Sequence, residues 1–219
     1  MGVVIQEFTP LEPITMIGRE AGICYGADVT NAEKNYKRGL DCLRSNHGRA
    51  LEFPDVYMVL DGYSARVIRE WYTHIGGAPT RLQASTRYID YQKGFDYIIP
   101  PSILKHEWAK EIYETAMNDI LSGLRQLEFF DIPREDSSML LPLGMSTVVT
   151  CKHNLRNLID MSHQRECVRA YWEYRELFSD LKKALREYSE QWAFLVDNFF
   201  RPKCVVSQSC TEKFGCGRF

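Results

Sequence analysis

Between Thr73 and Tyr88 the chain reads THIGGAPTRLQASTRY, a run that gathers hydroxyls and guanidiniums behind two glycines and a proline. Arginine holds a phosphate through two parallel N–H donors, and Ser85, Thr86 and backbone amides supply more. Arg81 and Arg87 carry the charge, and the Gln83 side-chain amide matches the amide edge of a nucleobase. The run suits a phosphorylated ligand that carries a base. Taken alone, it also reads as a solvated surface turn with caps.

A second run, Asn154 to Arg175, reads NLRNLIDMSHQRECVRAYWEYR. Arg165 and Arg169 are four apart, so a continuous helix would put them on one face. A guanidinium held beside a pyrimidine stabilises negative charge that develops on the ring. Glu166, Tyr171, Trp172 and Glu173 lie close by in sequence. By periodicity alone the run is also an exposed helix with weak i to i+4 ion pairs.

Three of the seven cysteines, Cys204, Cys210 and Cys216, fall in the C-terminal tail with five residues between successive thiols. Zinc knuckles space their ligands by about two to four residues. No fourth ligand is evident in the sequence, and no metal site is expected. His47, His106, His153 and His163 are isolated and read as structural. A Walker loop, a dinucleotide glycine fingerprint and a Ser-His-Asp order are all missing.

The elements that must position these runs follow from caps and periodicity. A helix is predicted from about Ala32 to Asn46, capped by Thr30 or Asn31, with Gly48 just past its end. Alternation of Val56, Met58 and Leu60 predicts a strand. Ser64 caps a helix with Val67, Ile68, Trp71, Tyr72 and Ile75 on its apolar face, stopped by Gly76-Gly77. Pro100-Pro101-Ser102 starts a helix that reaches Phe129 or Phe130, and Pro133 to Asp136 starts a short one that Pro142 ends. Asn154 caps another carrying Leu155, Leu158 and Ile159. The stripe from Leu177 to Phe199 predicts one long amphipathic helix, closed by Pro202. The pattern is a helix-rich α+β fold in a single domain over 1–219, with 200–219 as a cysteine-containing tail.

Composition is that of a globular chain able to bury a core, with 45% hydrophobic and 26% charged residues. A net charge of -2 provides no global field toward nucleic acid or anionic membrane, so any bound anion needs a local cluster of cations. The start, MGVVIQEFTP, is not a signal peptide, and no apolar run is long enough to span a bilayer. Reduced thiols in a cytoplasmic protein are the expectation.

The two runs, in this order, resemble the two signature regions of the flavin-dependent thymidylate synthases. That family carries Arg-His-Arg, a loop, then Ser-x-Arg-Tyr; here His74 and Ser85-Thr86-Arg87-Tyr88 match. Downstream it carries Leu-Pro, Asn-x-Arg, a further Arg, then Ala-Gln-Trp-Glu-Ile; this sequence has Leu141-Pro142, Asn154-Leu155-Arg156, Arg165 and Ala170-Tyr171-Trp172-Glu173-Tyr174. Weaker matches extend from about Met16 to Phe199. The resemblance implies a homotetramer with a mixed or antiparallel sheet, in which FAD reduced by NADPH works with methylenetetrahydrofolate to methylate dUMP. It places Ser85, Thr86 and Arg87 on the dUMP phosphate, and Glu70 and Gln83 on the sugar or base. Arg165 falls on the uracil edge as the catalytic group. Ser85 stands where a nucleophile would, but no base is placed beside it, so its expected role is binding. Thr73, His74, Ile75, Arg81, Asn154, Arg156 and Asp160 would line the flavin.

Departures cluster on the flavin and phosphate sides. Thr73 and Ile75 replace the arginines flanking the histidine, the loop to Ser85 is longer than the family's, and Arg81 is the candidate stand-in. Ser138 occupies the place of a nucleotide-binding Arg, Tyr171 that of the Gln, and Asp160 that of a flavin-contacting His or Asn. Two alternatives remain at this level. One is the same fold with an altered reaction, such as pyrimidine hydroxymethylation. The other is a nucleotide-binding protein without catalysis.

Overall fold

The computed structural model describes residues 1–219. In chain order the elements are β1 (Gly2–Ile5), α1 (Pro13–Cys24), α2 (Ala32–Arg44), β2 (Asp55–Ser64), α3 (Ala65–Trp71) and β3 (Thr80–Gln83). They continue with α4 (Pro101–Leu104), α5 (Glu107–Phe129), α6 (Arg134–Ser137), β4 (Ser146–Asn154), α7 (Leu155–Arg165), α8 (Trp172–Tyr188), α9 (Glu190–Phe199) and α10 (Lys203–Ser207). The α+β, helix-rich expectation is met, and the sheet is antiparallel throughout in the order β1-β2-β4-β3. No helix is long and apolar enough to cross a membrane.

Strand alternation drives one face of the sheet inward. Val56, Met58 and Leu60 of β2 lie opposite His153, Cys151 and Val149 of β4, and all six are buried. All but His153 join a cluster of 28 buried residues with Ile14 and Ile17 of α1, Trp71 of α3, Leu158 of α7, Phe178 of α8 and Trp192 of α9. Each such fully buried aliphatic or aromatic side chain contributes about 1.5–3 kcal/mol. The helices α1 and α2 cross so closely that a Cβ at Gly18 would stand 1.8 Å from the Asn35 carbonyl oxygen. Only glycine permits that approach.

A bulge in β2 sets up the site. Register shifts between Asp61 and Tyr63, with Gly62 at φ +79. The extra residue turns both Tyr63 and Ser64 inward. Ser64 then caps α3, its hydroxyl accepting from Val67 N at 3.1 Å, while its own N–H donates to Glu173 Oε1 at 2.6 Å. That carboxylate ties the start of α8 to the start of α3.

Several sequence expectations need correction. The helix capped by Ser64 ends at Trp71, short of Ile75, because Thr73 Oγ1 donates back to the Glu70 carbonyl at 2.7 Å and closes the turn. The Pro100–Phe130 helix is two, broken where His106 adopts an extended backbone. The long C-terminal helix is also two. Ser189 is extended (φ -159, ψ 158) and its hydroxyl caps α9 through Trp192 N. Arg165 and Arg169 do not share a helix face, since α7 stops at Arg165. Thr80–Gln83 is an edge strand rather than a loop, and β1, α1 and β4 have no counterpart among the predicted elements.

Candidate active site

The two sequence runs meet at Arg165. It is the last residue of α7, and its side chain reaches back to the end of α3. Nε donates to His74 Nε2 at 2.9 Å, and NH1 donates to Glu70 Oε2 at 3.1 Å. The guanidinium carbon lies 4.6 Å from the centroid of the Tyr174 ring, a cation–π contact from the first turn of α8. Charge pairing, a neutral acceptor and a ring face thus fix the plane of one arginine. Its NH2 group has no partner within the chain, and the side chain keeps 21% of its surface in solvent.

His74 must be neutral to accept that bond. Burial, followed by the guanidiniums of Arg165 and Arg81, pushes its pKa down to about 4. The proton of the neutral ring is then on Nδ1. Beneath it runs a buried relay: Trp71 Nε1 donates to His153 Nε2 at 2.9 Å, and His153 Nδ1 bonds Asn157 Oδ1 at 2.6 Å. Burial lowers the His153 pKa to about 4 as well. The relay fixes the bottom of α3 against the start of α7. Tyr174 is fully buried and its hydroxyl has no partner, below the Arg165 guanidinium.

The turn after α3 carries Thr73 and Ile75 on the surface and lies on the N-terminus of α7. Asn154 caps α7 through Asn157 N at 2.8 Å, and its Nδ2 approaches the Gly77 carbonyl at 3.4 Å. Gly77 has φ +71, and a Cβ there would stand 2.0 Å from Asn154 Nδ2. A side chain at that position is excluded by conformation and by space. Arg81 is turned back onto this segment, donating to the Tyr72 carbonyl at 3.0 Å with its guanidinium 4.7 Å over the Tyr72 ring.

Arg156 and Asp160, one turn apart on α7, line an open cleft of about 620 Å³ together with Asn46, Leu51 and Phe199. Arg156 NH1 also holds Glu52 Oε1 at 2.7 Å. The flavin-assigned residues therefore fall in two places, the 73–81 turn with Asn154 and this cleft, both reached from the N-terminal half of α7.

The phosphate-assigned residues follow β3. Gln83 Nε2 lies 3.4 Å from Thr147 Oγ1, and Ser85 Oγ accepts from Arg87 N at 3.3 Å. Arg87 is exposed, with Nε 3.1 Å from Glu135 Oε2. Arg134, which sequence reasoning missed, lines the same open concavity as Arg87 and donates to the Tyr88 carbonyl at 3.3 Å. Thr86, Arg134 and Ser138 also border one small cavity. No distance brings Ser85 or Arg87 against Arg165 within this chain. Tyr174 closes the matched block that begins at Ala170, but sequence reasoning gave it no role in the site.

Comparison with known proteins bears on this arrangement. The family described as thymidylate synthase complementing protein matches residues 9–189. The flavin-dependent thymidylate synthase of Nitratidesulfovibrio vulgaris is 27% identical over 189 residues, covering 81% of this chain and 74% of that one. That of Geobacter sulfurreducens is 27% identical over 195 residues, covering 85% and 82%. A crystal structure of the Helicobacter pylori flavin-dependent thymidylate synthase, complexed with FAD and dUMP, superposes with a TM-score of 0.71 at 16% identity. It covers 92% of this chain and all of the other.

Proposed function

As the chain belongs to the family of thymidylate synthase complementing proteins, we propose that it is an enzyme that methylates dUMP to dTMP. Methylenetetrahydrofolate is the one-carbon donor in this reading, and FAD reduced by NADPH is the hydride source. The observation that carries it is Arg165, held by Glu70 and His74 from the other signature run and seated on Tyr174. A cation fixed in this way, with an amino group left over, suits a ring that becomes electron-rich at one edge.

The residues present fit a flavin. A cleft of about 620 Å³ borders the N-terminal half of α7, where Arg156 supplies a cation. The Gly76-Gly77 turn leaves backbone exposed beside Asn154. Thr73, His74, Ile75, Arg81, Asn154, Arg156 and Asp160 would hold the group, and when bound it supplies the two electrons that convert the transferred carbon to a methyl.

The chain's own residues bind, orient and stabilise charge. Arg87 and Arg134 face one concavity and would hold the phosphate, with Ser85 and Thr86 as hydroxyl donors; Arg134 takes the place left by Ser138. The Arg87–Glu135 pair is exposed and weak, so a phosphate dianion displaces it readily. Ser85 has only the Arg87 amide on its oxygen and nothing to remove its proton, which supports binding rather than attack. Glu70 and Gln83 would contact sugar or base. Neutral His74 keeps Arg165 oriented without adding positive charge of its own.

A homotetramer accords with the exposed apolar side chains along α5, among them Trp108, Ile112 and Phe129. Assembly would also let a neighbouring subunit bring Arg87 toward another chain's Arg165. A cytoplasmic setting accords with the seven free thiols. The reading is tested by loading the purified chain with FAD, desalting, and adding dUMP. A retained oxidised-flavin band that shifts with dUMP places both ligands in one site. A colourless protein with or without nucleotide contradicts flavin chemistry here.

A further inference from the structure

Arg165 and Glu166 are neighbours at the end of α7, and their side chains grip different elements. Arg165 reaches α3, while the Glu166 carboxylate accepts from Lys182 Nζ of α8 at 2.6 Å. Glu166 is the C-cap of α7, its N–H donating to the Ser162 carbonyl at 3.1 Å. The same Lys182 ammonium donates to the carbonyl of Phe200, the C-cap of α9, at 3.2 Å. One cation therefore serves the ends of two helices, where the partial negative charge of each terminus favours it. Both side chains of the pair are mostly buried, each keeping 17% of its surface in solvent. Phe200 itself is packed into the core against Phe178. Glu166 Oε1 is buried without a partner. A buried pair that leaves one oxygen unsatisfied is a poor source of stability, and what it supplies is a defined geometry.

We propose that Lys182 is a positioning residue for Arg165, gripping Glu166 and the Phe200 carbonyl so that the Arg165 guanidinium meets Glu70 and His74. The last turn of a helix leaves carbonyls without intrahelical partners and frays readily. Residues 166–171, which follow α7, form no helix or strand. Arg165 is thus carried on the loosest turn of its helix, and contacts from outside the helix must hold it. The Ser162 hydroxyl lies 3.4 Å from the Arg201 carbonyl, a long contact. The short one is Lys182 on the residue next to Arg165. Without Lys182, Glu166 keeps no ion-pair partner. Its carboxylate then moves toward water and draws the end of α7 with it. A displacement of about 1 Å at a reacting group costs up to about 10²-fold in rate. The catalytic consequence rests on the proposed place of Arg165 at the substrate ring; the grip on α7 does not.

The test compares Lys182→Met with the parent and with Arg165→Ala in the full-length chain. The readouts are the ring-proton titration of His74 by NMR and, after FAD loading, the kinetics on dUMP. Burial and then the Arg165 guanidinium hold the His74 pKa down at about 4. It should rise in Lys182→Met, in the direction that Arg165→Ala sets. The kcat should fall about 10-fold, with KM for dUMP and flavin retention close to the parent's. Lys183→Met alters an exposed neighbour on the same helix and should change neither readout. An unmoved His74 pKa in Lys182→Met overturns the proposal, as does an unchanged kcat in a chain that forms dTMP, or an equal effect in Lys183→Met. If Lys182→Met fails to fold, Glu166→Gln/Lys182→Met removes both charges and decides: a parent-like His74 titration there overturns it. The titration needs neither flavin nor turnover, so a chain that forms no dTMP still shows whether Lys182 places Arg165.

Discussion

Arg165 Nε stands 2.9 Å from His74 Nε2, and that one bond joins the last residue of α7 to the turn that follows α3. The contact works only if the imidazole is neutral, which burial and two guanidiniums enforce. The orientation of the cation that would face the substrate ring is therefore set from the opposite signature run.

Arg165→Ala should lower turnover about 10²–10³-fold, the usual cost of losing one preorganised charge-stabilising donor. Steady-state kcat on dUMP measures it, with circular dichroism to check folding. A variant within a few-fold of the parent would remove Arg165 from the chemistry.

Glu70→Gln keeps the size of the side chain but removes the charge that holds NH1. The pair is part-exposed and worth about 1 kcal/mol or less, so kcat should fall by about fivefold or less, far less than for Arg165→Ala. An equal loss in both variants would mean that Glu70 itself takes part in the reaction.

Arg87→Ala and Arg134→Ala should each weaken dUMP binding by about 10- to 100-fold, in line with loss of a charge-assisted hydrogen bond. Isothermal titration, repeated at two salt concentrations, checks both. If Arg134→Ala binds dUMP normally, a single arginine holds the phosphate and the concavity shared with Arg87 is incidental.

Ser85→Ala should raise KM several-fold and leave kcat nearly unchanged, because no base adjoins the hydroxyl. Loss of kcat to background would instead make Ser85 a nucleophile.

Acid should destabilise the fold in a defined window. His74 and His153 fall to about 4 in the native state, against an ordinary value near 6.5. Between those limits the unfolded chain binds protons that the folded chain refuses, so stability falls as pH drops from about 6.5 to about 4. For buried His153 the loss reaches about 3 kcal/mol; part-exposed His74 adds less. Urea unfolding across this range in the parent and in His153→Gln checks it. An equal slope in both would contradict the assignment.

Caps were legible in the sequence because they are local. Asn31, Ser64 and Asn154 each accept from the N–H three residues on, and each starts its predicted helix. The missed β4 carries Thr147, Cys151 and His153 on its inward face, where polar types disguise the alternation. In β3 only Arg81 is more than marginally covered, as suits an edge strand, and it reads as loop. The Ser189 break is invisible because α8 and α9 send one continuous apolar stripe into the same core. The site was legible only through resemblance. Glu70, His74 and Arg165 converge across about ninety residues of chain, and no local pattern reports that.

The most direct measurement is the mass of the nucleotide formed when the FAD-loaded chain turns over dUMP with methylenetetrahydrofolate and NADPH. The account predicts dTMP, heavier than dUMP by one methylene, with formation slowed about 10²–10³-fold in Arg165→Ala. A hydroxymethylated product, or dUMP recovered unchanged by a folded, flavin-bearing protein, would contradict it.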